Sequence, residues 1–198
     1  MSNNVFDKQK VQSLKSIDHS KKGSFDAPIH DLIVFINTQP NFFTTSSCSG
    51  RLHIFREGEN KKKGCKWLLS SHEPVPTENV INVLEEAGDL TGAIFKYESF
   101  ILHVQCRTLE HAQTFLKVAL ECGYRNSGLV IGKKKKIMLA VRSTHGLEVP
   151  LAFDETTRVP KEYLEKLVVL ANGKLDENFA KIDKFFNALK DALKEEDT

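Results

Sequence analysis

Several things are missing from this chain, and each absence removes a class of function. No run of about 18 apolar residues occurs, so nothing in it is expected to span a bilayer. The start, Met1 to Asp7, lacks the basic residues and apolar core of a secretory signal. Cysteine is sparse: Cys48, Cys65, Cys106 and Cys122 lie far apart, whereas zinc ligands usually come as pairs about two to four residues apart. The four therefore read as reduced thiols of a cytoplasmic protein, and no metal is expected. No Gly-x-Gly-x-x-Gly follows a strand-like run, which removes the ordinary dinucleotide and Rossmann methyltransferase fingerprint. A Walker lysine loop, a Gly-x-Ser-x-Gly elbow and a zinc-protease helix are absent too.

What remains is ordinary globular composition, 40% apolar and 27% charged, in 198 residues. That length supports a substantial core, and the chain is read as one domain over 1–198. The net charge of +2 hides an asymmetry. Residues 1–150 carry a positive excess and residues 151–198 a negative one. Lysines cluster at Lys61-Lys62-Lys63 and at Lys133-Lys134-Lys135-Lys136, either solvated turns or contacts for RNA phosphates.

Periodicity predicts an α+β fold, a mixed or antiparallel sheet with helices packed on it. Phe6, Val11, Leu14 and Ile17 mark a polar N-terminal helix over about 5–22. Asp26 stands where an N-cap belongs, before a helix carrying Leu32, Ile33, Phe35 and Ile36. Strand-like runs follow at Phe42–Ser46, Leu52–Arg56 and Cys65–Ser71. Thr77 is the expected cap of a helix that Gly88 ends. Ala93–Tyr97 and Phe100–Cys106 read as a hairpin; in its second arm the two-residue period puts Phe100, Leu102, Val104 and Cys106 on one face and His103 and Gln105 on the other. Thr108 opens a helix with Leu109, Ala112, Leu116, Ala119 and Leu120 inward, closed by Gly123. Gly128–Gly132 and Ile137–Arg142 form a second hairpin with four lysines at its tip, the latter strand central because both faces are apolar. A helix followed by a hairpin at 27–56 and again at 108–142 points to an internal duplication. The C-terminal part, about 160–194, is helical: one segment runs to Asn172-Gly173, and then Leu175, Phe179, Ile182, Phe186, Leu189 and Leu193 form a long seam.

Side-chain bulk nearly vanishes at Thr44-Thr45-Ser46-Ser47-Cys48-Ser49-Gly50-Arg51. Glycine lets the backbone approach a ligand, serines offer hydroxyls, and Arg51 presents a planar fork for carboxylate or phosphate. A tight turn whose serines bond their own backbone accounts for the same residues. The formula recurs at Arg125-Asn126-Ser127-Gly128 and at Arg142-Ser143-Thr144-His145-Gly146-Leu147-Glu148. Ser70-Ser71-His72 ends another strand, and His103 turns away from its strand's apolar side. Strand ends of one sheet can converge on a pocket lined by small residues, and three such corners are the candidates for one.

At these residues the chain resembles the tRNA wybutosine-synthesizing protein 3 family. The matching segments include Lys22-Gly23-Ser24 with Asp26, Phe42 through Arg51, Trp67-Leu68-Leu69 with His72, Phe100 through Arg107, Gly123 through Gly128, and Met138 through Leu151. The likeness runs in order from about Phe6 to the C-terminal helix. One departure is Glu98-Ser99-Phe100, where the family pattern has Glu-Pro-Phe, which leaves the turn there less rigid.

The resemblance implies an S-adenosylmethionine-dependent methyltransferase whose fold is not the Rossmann sheet. Its expected substrate is the tricyclic guanosine derivative next to the anticodon of phenylalanine tRNA. The expected step methylates ring nitrogen 4 after an aminocarboxypropyl group has been added. Carried onto this chain, Ser46, Ser47, Cys48, Ser49, Gly50, Arg51, His72, Arg142, Ser143, Thr144, His145 and Glu148 are the expected cofactor surface, with Arg125, Asn126, Ser127 and Gly128 as a second choice. Asp26 and His103 are the candidate bases, and the two lysine runs the expected RNA contacts. Other wybutosine-pathway enzymes are candidate partners. A non-catalytic RNA-binding module and a scaffold organised by the C-terminal helix are the alternatives.

Overall fold

A computed structural model describes residues 3–15, 26–57, 65–133, 136–154 and 158–195. The elements are α1 (Asn3–Lys15), a 3-10 turn (Ala27–Ile29), α2 (His30–Thr38), β1 (Phe42–Cys48), β2 (Arg51–Glu57), β3 (Cys65–Ser71), α3 (Thr77–Ala87), β4 (Ala93–Glu98), β5 (Ile101–Cys106), α4 (Leu109–Glu121), β6 (Gly128–Ile131), β7 (Ile137–Arg142), β8 (Gly146–Pro150) and α5 (Lys161–Glu195). Every strand pairing in the two described sheets is antiparallel, so the fold is α+β and contains no Rossmann βαβ unit among these residues. None of the described helices is long and apolar enough to cross a membrane.

The chain forms two compact units. The first comprises Met1–Ser49, Phe100–Thr144 and Phe179–Thr198. Its sheet has the order β1-β5-β7-β6. One face is apolar by strict alternation: Phe42, Leu102, Val104, Leu139 and Val141 are buried there with α2, α4 and the C-terminal part of α5. Phe115, Tyr124 and Phe185 join Phe42 and Phe100 as aromatic filling. α4 starts on a cap in which the Thr108 side chain accepts from His111 N–H. It ends at Gly123, whose φ of 84° lets Tyr124 N–H reach Ala119 O at 2.9 Å and Gly123 N–H reach Leu120 O. On the other face α1 is tied down by Arg107, which holds Asp7, Asn41 Oδ1 and Pro40 O and lies over the Phe6 ring.

The second unit comprises Gly50–Ser99 and His145–Asn178, with sheet order β3-β2-β4-β8. Leu52, Ile54, Phe95 and Tyr97 face its core, and Val80, Leu84, Leu164, Leu167, Val168 and Ala171 are buried on its helices.

Several expectations need correction. Ala93–Tyr97 and Phe100–Cys106 are not a hairpin: β4 pairs with β2 and β8, β5 with β1 and β7, and Ser99–Phe100 is where the chain leaves one unit for the other. The turn that the departure at Ser99 was expected to loosen is therefore a crossover. β1 and β2 do not pair either, so residues 42–56 do not repeat the true β6–β7 hairpin. The C-terminal helix runs unbroken through Asn172-Gly173 for 35 residues. Asn172 cannot act as a cap because its amide is used elsewhere: Oδ1 accepts from Val75 N–H at 3.0 Å and Nδ2 donates to Val75 O at 2.8 Å. Thr77 is the first residue of α3 and Pro76 its N-cap. Leu109 and Leu120 are exposed and Phe115 points inward in α4, while Val11 and Leu14 are exposed on α1. The expected helix beyond Lys15 falls on residues 16–22, outside the described residues.

Candidate functional site

In the first unit the polar corner is built by a β-bulge. The β1–β5 register shifts between Thr44 and Ser46, so Thr45 is the extra residue and Ser46 is brought opposite His103. Thr45 Oγ1 ties back to His103 O at 3.3 Å. Across the sheet His103 then meets Ala140 of β7, which in turn meets Gly128 of β6. Ser46, Ala140 and Gly128 are all small, so His103 is the one bulky group in that row. Arg142 lies two residues from Ala140 on β7 and therefore on the same side of the pleat.

The side chains form a continuous hydrogen-bonded run. An Arg142 Nη2–H donates to His103 Nε2 at 3.1 Å. That nitrogen must be the unprotonated one, because a guanidinium can only donate. His103 Nδ1–H therefore donates to Ser46 Oγ, 2.9 Å away. Burial lowers the His103 pKa, and the neighbouring Arg142 charge lowers it further, so the ring is neutral at physiological pH. Arg142 is itself set by a backbone bond, its N–H donating to Ser127 Oγ at 3.0 Å.

Asp26 does not cap the helix that follows it. It occupies the N-cap position of the 3-10 turn without a side-chain cap bond. Its Oδ2 instead accepts from Ser49 N–H at 2.9 Å and from Ser49 Oγ at 3.2 Å. Ser49 is fully buried, so the carboxylate fixes the end of the Ser46–Ser49 corner. Local spacing could show the cap position, but not that a residue 23 positions later competes for the oxygen.

The remaining expected residues of the corner that follows belong to the second unit. Gly50 has a φ of 103°, a conformation that glycine tolerates, and its carbonyl accepts from His72 Nδ1–H at 2.9 Å. Arg51 holds Glu98 through Nε and Nη2, at 2.9 and 2.8 Å. Glu148 is paired with Lys96 at 3.0 Å. Burial pushes the Glu98 carboxyl up, but its hydrogen bond to Arg51 and the charges of Arg51, His53 and Lys96 outweigh this and leave its pKa lowered.

Of the three serine–glycine–arginine corners, the structure joins part of the first (Ser46), part of the second (Ser127) and Arg142 of the third within one unit. Ser47 and Cys48 pair with Leu102 and Ile101 on β5. Arg125 and Asn126 are exposed, as are Thr144 and His145, while Ser143 is half-buried. Lys133 and Lys136 are exposed beside the β6–β7 turn; Lys61, Lys62, Lys63, Lys134 and Lys135 lie outside the described residues. Glu98 and Lys96 are not among the expected site residues, although their alternation with Phe95 and Tyr97 places them on the face opposite the core.

A family model described as Methyltransferase TYW3 matches residues 8–191. A mouse protein named tRNA wybutosine-synthesizing protein 3 homolog is 46% identical over 195 residues, covering 96% of this chain and 75% of that protein. A Thermococcus sibiricus protein named tRNA(Phe) 7-((3-amino-3-carboxypropyl)-4-demethylwyosine(37)-N(4))-methyltransferase is 37% identical over 183 residues, 90% of this chain and 91% of that protein. Among solved structures, the PH1069 protein from Pyrococcus horikoshii aligns with a TM-score of 0.83 at 31% identity, covering 94% of this chain and 97% of that one.

Proposed function

The chain belongs to the TYW3 methyltransferase family, and from that premise we propose that it transfers a methyl group from S-adenosylmethionine to ring nitrogen 4 of the tricyclic wybutosine precursor in phenylalanine tRNA. The name of the Thermococcus sibiricus relative supports that substrate. The observation that carries the reading is the run Ser46–His103–Arg142, a neutral imidazole held between a hydroxyl and a guanidinium. All of 1–198 is taken to act as one catalytic domain in the cytoplasm, with Cys48, Cys65, Cys106 and Cys122 outside any disulfide.

The donor set suits the cofactor. Arg142 is exposed and uses one N–H on His103, which leaves a planar fork for a carboxylate. Ser46 accepts from His103, which leaves its own proton to be donated to a ribose or amine group. When bound, S-adenosylmethionine supplies an electrophilic methyl group on a sulfonium centre. The protein then has to align donor and acceptor and accept one proton.

His103 is assigned that proton. Arg142 occupies its Nε2 in the free chain, so the nitrogen takes the proton once the guanidinium has turned from it to a carboxylate. Asp26 is assigned a positioning role, since Ser49 already fills one of its oxygens twice. The lysines at 61–63 and 133–136 are assigned to tRNA phosphates.

The test is methyl transfer from labelled S-adenosylmethionine to phenylalanine tRNA carrying the aminocarboxypropyl demethylwyosine. The expected result is label at nitrogen 4. No transfer to that tRNA would overturn the assignment, and binding of tRNA without any binding of the cofactor would favour the non-catalytic RNA module.

A further inference from the structure

We propose that the outer face of the second unit's sheet is a stacking platform for one unpaired RNA base, with Trp67 as its anchor and Arg51 and Glu98 as its polar rim. The proposal rests on the tRNA reading above for the identity of the RNA, but its geometry lies entirely within the second unit.

The platform exists because of a second bulge. The β2–β3 register shifts between Ile54 and Phe55, so Ile54 faces Leu69 while Phe55 faces Trp67. Had the ladder continued unshifted, Leu68 would face Phe55 and Trp67 would face Arg56 on the core side of the edge strand, since one step of register exchanges the two faces. The shift instead sets Trp67 on the outer side, where its side chain stays 48% exposed. Phe55 lies 5.7 Å from it and His53 5.1 Å, ring centre to ring centre. The Arg51 guanidinium lies over the indole ring, 5.3 Å from its centre, and so packs on part of it. Half-exposed tryptophan supported by two further rings and a guanidinium is the arrangement that stacks single-stranded bases.

The rim fits the edge of a base. Arg51 and Glu98 face each other across β2–β4, and Lys96 contacts Glu98 at 3.5 Å and Glu148 at 3.0 Å. Glu98 retains about a third of its side-chain exposure and is ionised at neutral pH, so it can accept from base N–H groups. The guanidinium can serve a phosphate or lie flat against the base. The face is also incomplete as it stands: His53 is 2% exposed, yet its Nδ1 has no hydrogen-bond partner and ends 3.9 Å from Glu98 Oε2. Ion pairing alone would explain Arg51, Lys96, Glu98 and Glu148, but it leaves the exposed indole unexplained.

Trp67 is the only tryptophan in the chain, so its fluorescence reports this face alone. The full chain is titrated with an RNA hairpin carrying the anticodon loop of phenylalanine tRNA, with a fully paired RNA duplex of equal length, and with S-adenosylmethionine alone. The expected result is strong quenching by the hairpin and little by the other two. Trp67→Ala should weaken hairpin binding about 5- to 100-fold, the loss of one stacked base, while Trp67→Phe keeps most of it. Equal quenching by duplex, quenching by S-adenosylmethionine alone, or unchanged hairpin affinity in a folded Trp67→Ala chain would each overturn the platform. If Trp67→Ala does not fold, the quenching titration of the unaltered chain decides. Methyl transfer is followed in parallel: transfer without quenching sinks the platform alone, and quenching without transfer sinks the methyltransferase substrate alone.

Discussion

Among the described residues each of the two sheets contains one β-bulge, and the two bulges present opposite chemistry. In the first unit the extra Thr45 delivers a small hydroxyl, Ser46, to a histidine whose two nitrogens are both engaged. In the second, Leu68 is the extra residue, and the shift delivers a large indole to a histidine whose Nδ1 has no partner. Burial lowers the pKa of both rings. One face is therefore arranged around a positioned, neutral imidazole and the other around an apolar plane with a charged rim. In the roles proposed above, the difference separates two tasks that an enzyme acting on RNA must perform, moving a proton and holding a base. It also allows them to be broken one at a time.

The largest effect is expected from His103→Ala. Removal of a positioned base costs about a hundredfold or more in rate, and Trp67 quenching by the RNA hairpin should stay as in the unaltered chain. A rate loss of that size with hairpin binding intact assigns His103 to chemistry. Equal losses in both would mean that the first face also holds the RNA. Arg142→Ala sharpens the same point through pH. With His103 as the base, the acid limb of the methylation rate should lie below the ordinary histidine value of 6.5, since its pKa is lowered. Without the Arg142 charge the limb should move up toward that value, though not all the way, because burial remains the larger cause. An unmoved limb would remove His103 from the rate-determining proton transfer.

A smaller effect concerns stability and His53. Its folded pKa lies below the unfolded 6.5, so the unfolded chain binds the proton more readily. Stability is then complete above about pH 6.5 and is lost as the pH falls from there through the lowered folded value. Thermal melts between about pH 7.5 and 5.5 should show that loss, and His53→Phe should flatten it. At neutral pH the same substitution should lie within about 1 kcal/mol of the unaltered chain, since no Nδ1 hydrogen bond is broken. A slope that survives His53→Phe in full would assign the acid sensitivity to His103.

Much of this contrast could be read from the amino acids, and the unread part has a physical cause. Phe100, Leu102, Val104 and Cys106 are buried as the two-residue period requires, and the Thr108 cap and the Gly123 stop lie where local chemistry put them. Local pattern, however, reports which face of a strand is apolar and nothing about its partner. That is why β4 and β5 looked like a hairpin and why neither bulge was visible. β8 was missed for a related reason: Gly146, Leu147 and Glu148 resemble a turn until β4 supplies the hydrogen bonds. The serine-rich corner was visible as composition. Its geometry depends on one extra residue, Thr45, which no periodicity marks. Asp26 and Asn172 were misread alike, because both had local capping roles available and each was recruited by a residue distant in sequence.

The smallest expected change tests whether Asp26 belongs with the first face as a base or only as a brace. In Asp26→Asn the amide oxygen can still accept from Ser49 N–H and Oγ, so the corner keeps its hydrogen bonds but loses their charge assistance. That difference is about 1 kcal/mol, or about fivefold if it is felt entirely in the transition state. Single-turnover methylation by Asp26→Asn should therefore fall only severalfold, with the His103 acid limb unmoved. A loss as large as that of His103→Ala would transfer the proton to Asp26, because an amide cannot accept it. Asp26→Ala completes the comparison: with the Ser49 donors left unmatched, it should be slower than Asp26→Asn if the carboxylate is a brace. Were it a base, both variants should be equally slow.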